Sequence, residues 1–258
     1  MSRQPGDNRC FSSCHNSCHG PAIILASGPS AADFPVEAFA SVPIITMNGA
    51  IAGLLGTAIR PLFYVCTDRG FPEQQPGLYQ AALDRAQHLA LWPDQIAELT
   101  GAQAARAFPL TRAPMTRLSH LLGHEQHLAE RSRNLLSKRS RSIGFSKDMA
   151  YGFFDARTVA YVCVQLAYHL GFEQVFLVGL DLNGSSGRFY ERQGNACSPC
   201  GLNDYFHSRI LPSFQVARRA FDRTGKRLLN LSTGSRLPAS VVQHADLHTL
   251  RRALRIGQ

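Results

Sequence analysis

The sequence predicts an α/β protein in which a Rossmann-like parallel sheet is flanked by helices. Three short apolar runs follow one another near the N-terminus, Ala22–Ala26, Val42–Met47 and Leu62–Cys66, and each ends in turn-forming or polar residues. Strands that are apolar along their whole length are typical of a parallel sheet covered on both faces. The segments between these runs are long enough for short crossover helices. The chain therefore alternates between strand and helix.

The same alternation returns later in the chain. Asp155 is the predicted N-cap of a long apolar helix that ends at Gly171, and the run Val175–Val178 predicts the next strand. Because this helix is apolar on nearly all sides, we expect it to be buried. A helix near 205–223, a short strand at 227–231 and a basic C-terminal helix complete the prediction.

The predicted organisation is an arm followed by one domain. Residues 1–20 form a polar arm rich in cysteine and histidine, and residues 21–258 form a single α/β domain. Within that domain, residues 72–142 are richer in Gln, His, Ala and Arg. Their weak apolar pattern predicts a helical insertion with a basic loop rather than sheet.

Composition excludes some classes of protein. Of the 258 residues, 45% are hydrophobic and 17% are charged, which is enough apolar material for a sizeable core, so global disorder is not expected. No stretch approaches the roughly 20 uninterrupted apolar residues of a membrane-spanning helix. The expectation is a soluble or peripherally bound protein.

The N-terminus and the cysteines predict a reducing compartment. Residues 1–8 are polar and lack the apolar core of a secretory signal, so a cytoplasmic location is expected. The chain has seven cysteines, an odd number. Cys66 and Cys163 lie in strongly apolar runs, where free thiols behave as small core residues. A disulfide framework is therefore not predicted.

Polar motifs follow the predicted strands, at the edge where parallel sheets bind ligands. The first is a serine- and glycine-containing loop that could cradle a phosphate or a ribose through its hydroxyl and amide groups. The second pairs an asparagine, which suits a nucleobase edge or a sugar hydroxyl, with a glycine. Two aspartates after later strands could contact substrate hydroxyls or act as bases. These candidates are Ser27, Gly28, Pro29, Ser30, Asn48, Gly49, Asp68, Gly179 and Asp181. Ordinary turns and structural hydrogen bonds are the alternatives.

Further candidates flank the buried helix. Lys147 could hold a carboxylate or phosphate with Asp148 as base or orienter, although the pair could also be a surface ion pair. The Thr158 hydroxyl could donate to a phosphate, but Asp155 at the cap would oppose an anion. Arg188 and Tyr190 belong to a glycine-rich loop that could handle an anion or be a plain turn.

Metal and nucleic-acid sites are weaker hypotheses. The N-terminal cysteines, Cys10, Cys14 and Cys18, and the pair Cys197 and Cys200 invite a zinc interpretation, but neither group completes a standard set of spacings. The basic residues of 131–141 and of the C-terminal tail could attract phosphate-rich partners or form a solvated face. No zinc-finger or RNA-binding signature accompanies them, so nucleic acid is not the expected partner.

Taken together, the motifs resemble those of a known family. The run LASGPS is followed by PIITMNGA and PLFYVCTD, and a long block extends from IGFSKDMAYGFFDARTVAYVCVQLAYHLG to VGLDLNGSSGRFY. In these blocks the chain is similar to the WaaZ-type transferases, which add a third 3-deoxy-D-manno-octulosonic acid (Kdo) to the lipopolysaccharide core. It is similar, more distantly, to bacterial sialyltransferases that use CMP-sialic acid.

The resemblance implies a glycosyltransferase that moves Kdo from CMP-Kdo to a Kdo residue of a lipid A-inner core precursor. The acceptor would be an anionic glycolipid at the cytoplasmic face of the inner membrane, where the formal charge of +9 would aid peripheral association. The sialyltransferase pattern implies that Gly28, Ser30, Asn48, Thr158, Gly179 and Asp181 line the CMP-sugar site. It also implies that no cofactor or metal is needed, because the CMP leaving group has a single phosphate.

The reaction needs anion handling and a base. Lys147 and Arg188 are the candidates for anion handling, and Asp148 or Asp181 is favoured as base over His207, although histidine does this work in the sialyltransferase pattern. The alternatives are a related nucleotide-dependent transferase, a non-catalytic nucleotide- or glycolipid-binding regulator and, last, a zinc-stabilised interaction module. Acceptor position, linkage and oligomeric state do not follow from the sequence.

Overall fold

The computed structural model of the chain describes residues 9–115, 124–132, 134, 137–184, 187–191 and 201–256. The strands in these residues are β1 (Pro21–Leu25), β2 (Ile44–Met47), β3 (Phe63–Val65), β4 (His88–Leu91), β5 (Ala107–Pro109), β6 (Ala129–Arg131), β7 (Gly144–Ser146), β8 (Gln174–Val178), β9 (Arg227–Asn230) and β10 (Gln243–His244). The α-helices are α1 (Phe71–Gln74), α2 (Pro76–Arg85), α3 (Pro93–Ala97), α4 (Gly101–Ala104), α5 (Lys138–Arg141), α6 (Val159–Leu170), α7 (Leu202–Tyr205), α8 (Leu211–Arg223) and α9 (Leu247–Ile256).

The main sheet is parallel, as predicted. Its eight strands run in the order β10-β9-β8-β1-β2-β3-β4-β5, and each neighbouring pair is parallel. Ile24 of β1 is in register with Ile45 of β2 on one side and with Leu177 of β8 on the other. The chain winds outward from β1 to β5 and then returns to β8 on the opposite side of β1. This reversal is a topological switch point, and parallel sheets bind ligands at the carboxyl side of such points.

Helix α6 confirms the prediction of a buried helix. Residues Ala160–Leu170 are all buried, and the helix ends at Gly171. Its beginning differs from the prediction, because Thr158 is the N-cap and the helix starts at Val159. Asp155 instead accepts a hydrogen bond from the Arg157 amide at 2.7 Å, which closes a turn before the helix. An aspartate in such a turn has the same sequence signature as a helix cap.

The prediction that residues 72–142 lie outside the sheet is wrong. Strands β4 and β5 extend the main sheet beyond β3, and Leu89, Ala90 and Phe108 are buried in it. These strands are short and mix small and polar residues with apolar ones. Pairing with β3 and burial decide their conformation, which propensity does not reveal. The predicted division between arm and domain stays a prediction.

The segment before β1 packs on the body of the protein. The Phe11 ring is 3% exposed and lies 5.2 Å from the ring of Phe108, measured between centroids. Cys66 and Cys163 are buried thiols, as predicted.

The C-terminal elements follow the prediction with one change. The helix expected near 205–223 consists of α7, a π-helical turn at Phe206–Ile210 and α8. Strand β9 and helix α9 match the predicted strand and basic helix. No helix among the described residues is long and apolar enough to span a membrane.

Candidate functional site

A cleft of about 450 Å³ opens at the carboxyl edge of the sheet, beside the switch point. Its walls come from the ends of β1, β2, β3 and β8 and from the start of α6. Of the sequence-predicted candidates, those that line it are Ser27, Gly28, Pro29, Asn48, Asp68, Thr158, Gly179, Asp181 and Arg188. Its volume lies within the range of small-molecule sites in proteins.

The loop after β1 is held by the loop after β8. The amide of Gly28 donates to the carbonyl of Gly179 at 2.9 Å, and the amide of Ser30 donates to Oδ2 of Asp181 at 2.9 Å. A Cβ atom on Gly28 would overlap the Asp181 carboxylate. Glycine is therefore required for this approach, and Asp181, which is 6% exposed, fixes the shape of the loop.

Ser30 is exposed and lies outside the cleft lining, and it takes part in the same support. Its hydroxyl donates to Oγ of Ser232 at 2.9 Å. Ser232 also accepts a hydrogen bond from the Leu180 amide at 3.0 Å. The hydroxyl pair links the two loops, and this role of Ser232 was not predicted from the sequence.

Asn48 presents an unpaired acceptor. It has a positive φ of 42°, and its Oδ1 is buried without a hydrogen-bond partner among the described residues. Asparagine tolerates this backbone conformation better than most residues. A buried acceptor without a partner is costly, which makes Asn48 a candidate for contact with a ligand at the cleft.

Gly49 and Tyr190 meet beneath Asn48. A Cβ atom on Gly49 would overlap the Tyr190 ring, so this ring rests against bare backbone. Burial raises the pKa of Tyr190 to about 12, although the nearby Arg188 charge opposes that shift. Tyr190 therefore stays a neutral phenol at physiological pH. It does not line the cleft itself, but its ring packs against Gly49, next to the lining residue Asn48.

Asp68 and Thr158 line the cleft from different elements. Oδ1 of Asp68 accepts a hydrogen bond from the Gly70 amide at 3.0 Å, which shapes the turn after β3. Thr158 makes no side-chain hydrogen bond to its own helix. Its hydroxyl remains available at the start of α6, where the helix dipole favours a negative charge.

Three arginines line the cleft, and only Arg188 among them was predicted from the sequence. Arg188 is paired with Glu191 at 2.7 Å. Arg112 lies 3.5 Å from a carboxylate oxygen of Asp155, and its guanidinium stacks 5.4 Å from the Trp92 ring centroid. The third, Arg157, lies just before α6.

Arg157 and Tyr205 are two further cleft residues that were not predicted from the sequence. The Arg157 guanidinium lies 4.6 Å from the centroid of the Tyr205 ring, a cation–π geometry, and both residues line the cleft. Arg157 has a positive φ of 65°. The sequence signal that could have revealed it is an arginine beside the N-cap of a helix at the sheet's carboxyl edge.

Backbone strain concentrates at this cleft. The described non-glycine residues with positive φ are Asn16, Asn48, Arg157 and Leu182, and all except Asn16 line the cleft. Such conformations cost on the order of 1–3 kcal/mol each for most residues, and they cluster at functional sites. This clustering supports the cleft as the functional site independently of its residue types.

Lys147 and Asp148 lie outside the cleft, in contrast to the prediction that they act in it. Lys147 Nζ donates to the carbonyl of Gln126 at 2.8 Å and lies 4.0 Å from Glu130. Asp148 lies 3.3 Å from His169, in the last turn of α6. That turn is about 16 Å from the cleft end of the helix at 1.5 Å per residue. The strand β7 directs this segment toward the far end of α6.

The remaining candidates are dispersed. His207 contacts Arg236 at 3.5 Å and does not line the cleft. Arg131, predicted in a basic loop, is buried at 6% exposure and donates to the carbonyl of Pro114 at 3.1 Å. Cys197 and Cys200 lie outside the described residues, and within those residues no group of three or more His, Cys, Asp or Glu could hold a metal ion.

Sequence comparisons identify relatives of the chain. Residues 119–246 match the family model of the 3-deoxy-D-manno-octulosonic acid transferase WaaZ. A probable 3-deoxy-manno-octulosonic acid transferase of Escherichia coli is 28% identical over 78% of this chain and 74% of its own length. The corresponding protein of Salmonella typhimurium is 26% identical over 86% of this chain and 85% of its own length.

Two solved structures show similarity to this chain at low sequence identity. The MAf glycosyltransferase of Magnetospirillum magneticum AMB-1 has a TM-score of 0.49 and 16% identity, and this chain covers 37% of it while 93% of this chain is matched. The sialyltransferase CstII of Campylobacter jejuni, solved with CMP-3FNeuAc, has a TM-score of 0.44 and 12% identity over 88% of this chain and 86% of that protein. These sequence matches confirm the resemblance to the WaaZ-type Kdo transferases that the motifs indicated.

Proposed function

We propose that this protein transfers Kdo from CMP-Kdo to a Kdo residue of a lipid A-inner core precursor. The observation that carries the proposal is the unpaired Oδ1 of Asn48 at the cleft, in a chain whose residues 119–246 match the Kdo transferase family model. An amino group or a sugar hydroxyl of a cytidine nucleotide would supply the missing donor. The loop Ser27–Ser30, bound to Asp181, is the proposed seat of the nucleotide's phosphate or ribose.

The proposed reaction is a displacement at the anomeric carbon of Kdo. The acceptor hydroxyl oxygen forms a bond to that carbon while the bond from the carbon to the CMP phosphate oxygen breaks, and the hydroxyl proton passes to a base. An inverting outcome follows from a single displacement of this kind. Catalysis then depends on stabilising the positive charge at the anomeric carbon and the negative charge on the departing phosphate.

The cleft offers groups for each of these tasks. Arg112, Arg157 and Arg188 are the cations proposed to neutralise the departing phosphate and hold the donor carboxylate, with Thr158 as a neutral donor. Of the two carboxylates favoured as base, only Asp181 lies at the cleft, so it is the proposed base, with His207 as the alternative. The supply of cations from the protein supports a metal-independent reaction.

The acceptor is proposed to be an anionic glycolipid met at the cytoplasmic face of the inner membrane. The chain carries 27 lysines and arginines against 18 acidic residues. Such an excess attracts a protein to anionic headgroups, at about 1 kcal/mol per basic residue near the surface. Peripheral association is therefore part of the proposal.

A CMP-release assay tests the function directly. The protein is incubated with enzymatically generated CMP-Kdo and a lipid A acceptor that carries Kdo, with and without EDTA, and the product mass is determined. We expect acceptor-dependent CMP release, a product heavier by one Kdo and no effect of EDTA.

Two results would contradict parts of the proposal. CMP binding without release would favour another sugar donor or a non-catalytic binder of nucleotide or glycolipid. Release that EDTA abolishes would overturn metal independence and leave the transferase assignment intact.

A further inference from the structure

Three arginines from separate segments form a row that leads from the protein surface to the cleft. We call Arg139, Arg209 and Arg157 the arginine row. Arg209, in the π-helical turn before α8, donates from Nη1 to the carbonyl of Arg139 at 3.2 Å. Its Nη2 donates to the carbonyl of Asp155 at 2.6 Å. Arg157 follows Asp155 by two residues and lines the cleft, so Arg209 links the two segments that carry Arg139 and Arg157.

The charges of the row are not neutralised by ion pairs within the described part of the chain. The ion pairs found there include none of the three arginines. Burial lowers the pKa of Arg209; Asp155 opposes that shift, and the charges of Arg157 and Arg139 add to it. Arg157 and Arg139 therefore act on Arg209 as neighbouring positive charges.

The two ends of the row are both exposed but differ in their surroundings. Arg139 is exposed on the short helix α5, beside the exposed Lys138 and Arg141. Arg157 is held over the Tyr205 ring at the cleft. The aromatic face fixes the guanidinium without neutralising its charge. A ligand that bears several negative charges could therefore contact cations from the surface down to the cleft.

We propose that the arginine row binds the phosphate groups of the glycolipid acceptor and orients its sugar end toward the cleft. This inference rests on the proposed function, because it assumes that the acceptor reaches the same cleft as the donor. Guanidinium groups suit the task, since their planar donors match phosphate oxygens in pairs. The CMP-Kdo substrate needs only the cations at the cleft itself. Arg139 and its exposed neighbours would therefore bind the glycolipid acceptor.

The test reverses one charge at the exposed end of the row. Arg139→Glu is compared with Arg227→Glu, which makes the same change of charge at an exposed residue at the start of β9, on the edge of the sheet opposite the cleft. The probes are a detergent-solubilised lipid A that carries Kdo and two phosphates, and the same molecule after enzymatic dephosphorylation. Direct binding, the KM for the acceptor and the Kd for CMP are measured for each variant.

We expect Arg139→Glu to weaken binding of the phosphorylated probe and to raise its KM by about tenfold, as for a charge at the rim of a binding surface. The dephosphorylated probe should bind equally to all variants, and Arg227→Glu should match the wild type. If both variants lost the same affinity for the phosphorylated probe, the effect would come from net charge alone and the proposed role of the arginine row would be wrong. If Arg139→Glu lost the same affinity for both probes, the arginine row would not recognise phosphate.

The binding measurement distinguishes a failure of the arginine-row proposal from a failure of the proposed function. If wild-type protein binds the phosphorylated probe through Arg139 but releases no CMP, the transferase proposal fails and the row stands. If wild-type protein transfers Kdo and Arg139→Glu changes neither binding nor KM, the row fails and the transferase proposal stands.

Discussion

The carboxylate of Asp181 accepts a hydrogen bond from the backbone amide of Ser30 at 2.9 Å, across 151 residues of sequence. This bond joins the loop after β1 to the loop after β8, on either side of the switch point. Hydrogen bonds to an ionised acceptor are among the stronger hydrogen bonds in proteins. The contact makes Asp181 a support of the cleft in addition to its proposed role as base.

Replacing Asp181 separates these two roles. Asp181→Asn retains an oxygen that can accept from Ser30 and removes the charge and the basicity. If Asp181 is the base, we expect kcat to fall by at least about a hundredfold, as for removal of a general base, with Tm near the wild-type value. If Asp181 only supports the loop, the loss should be about tenfold or less and should appear in the affinity for CMP. Kinetics with a pH profile and thermal unfolding distinguish the outcomes.

Gly49→Ala tests the contact between Gly49 and Tyr190. The added Cβ would overlap the tyrosine ring, and overpacking of this kind costs about 1–3 kcal/mol. We expect a lower Tm and at least about a tenfold weaker affinity for CMP by calorimetry. Gly53→Ala is the matched control, because a Cβ there would lie 3.5 Å from the nearest atom, an ordinary contact. Equal behaviour of the two variants would disprove the role of this contact.

Asn48 offers a test of ligand binding that is separate from stability. Its Oδ1 has no partner among the described residues, so truncating the side chain removes no known protein hydrogen bond. Asn48→Gly accommodates the positive φ and should leave the free energy of unfolding within about 1 kcal/mol of wild type. Asn48→Ala must strain its backbone and should lose about 1 kcal/mol. Both should weaken CMP binding, by about tenfold for one lost hydrogen bond. Wild-type affinity in both variants would remove Asn48 from the site.

We expect the buried His169 to make the stability of the protein depend on pH. The amide of Met149 donates to its Nδ1 at 3.1 Å, so Nε2, at 2.9 Å from the carbonyl of Phe11, carries the proton. Burial lowers the pKa of His169 below its ordinary value of 6.5, although the Phe11 carbonyl and Asp148 oppose the shift. The native state therefore binds fewer protons than the unfolded state, and this contribution to stability is lost as pH falls below about 6.5.

Unfolding by denaturant at pH 7.5 and pH 5.5 checks this expectation. His169→Gln should cost about 2 kcal/mol at pH 7.5, because buried partners lose their bonds, and should reduce the loss of stability on acidification. Some pH dependence should persist, since burial also lowers the pKa of His88. The exposed His248 provides a control substitution. A slope unchanged by His169→Gln would rule out this mechanism.

Lys147→Ala decides between the sequence-based hypothesis and the position seen in the structure. The ammonium group is bound by Gln126 and lies near Glu130, away from the cleft. We expect turnover within about twofold of wild type. Some stability should be lost, although Arg219 and Arg223 would still pair with Glu130. A large fall in kcat with an unchanged Tm would instead restore Lys147 to the mechanism.

Much of the fold could be predicted because its signals are local. The apolar runs that became β1, β2, β3 and β8 have the length and uniform apolarity of buried parallel strands. Helix α6 carries a long apolar pattern that ends in glycine. Strands β4 and β5 were missed because they are short and weakly apolar, and their pairing partners are distant in sequence.

Some residues of the candidate site could likewise be predicted from the sequence, and others could not. The loops at Gly28, Asn48 and Asp181 could be found because they directly follow strongly apolar strands, and the carboxyl ends of parallel strands share one edge. Arg157 and Tyr205 belong to segments whose meeting depends on how α6 and α7 pack. Lys147 and Asp148 have suitable chemistry, but strand β7 places them elsewhere.

The sequence by itself therefore determined the α/β class, the strand-end loops and the resemblance to the Kdo transferases, since each of these depends on patterns within short segments. Only the tertiary structure decided which charged residues share the cleft. Side chains such as Arg157, Arg209 and Arg139 are brought together by contacts between segments far apart in the chain. No local pattern encodes such distances, because they are set by the packing of the whole sheet and its helices.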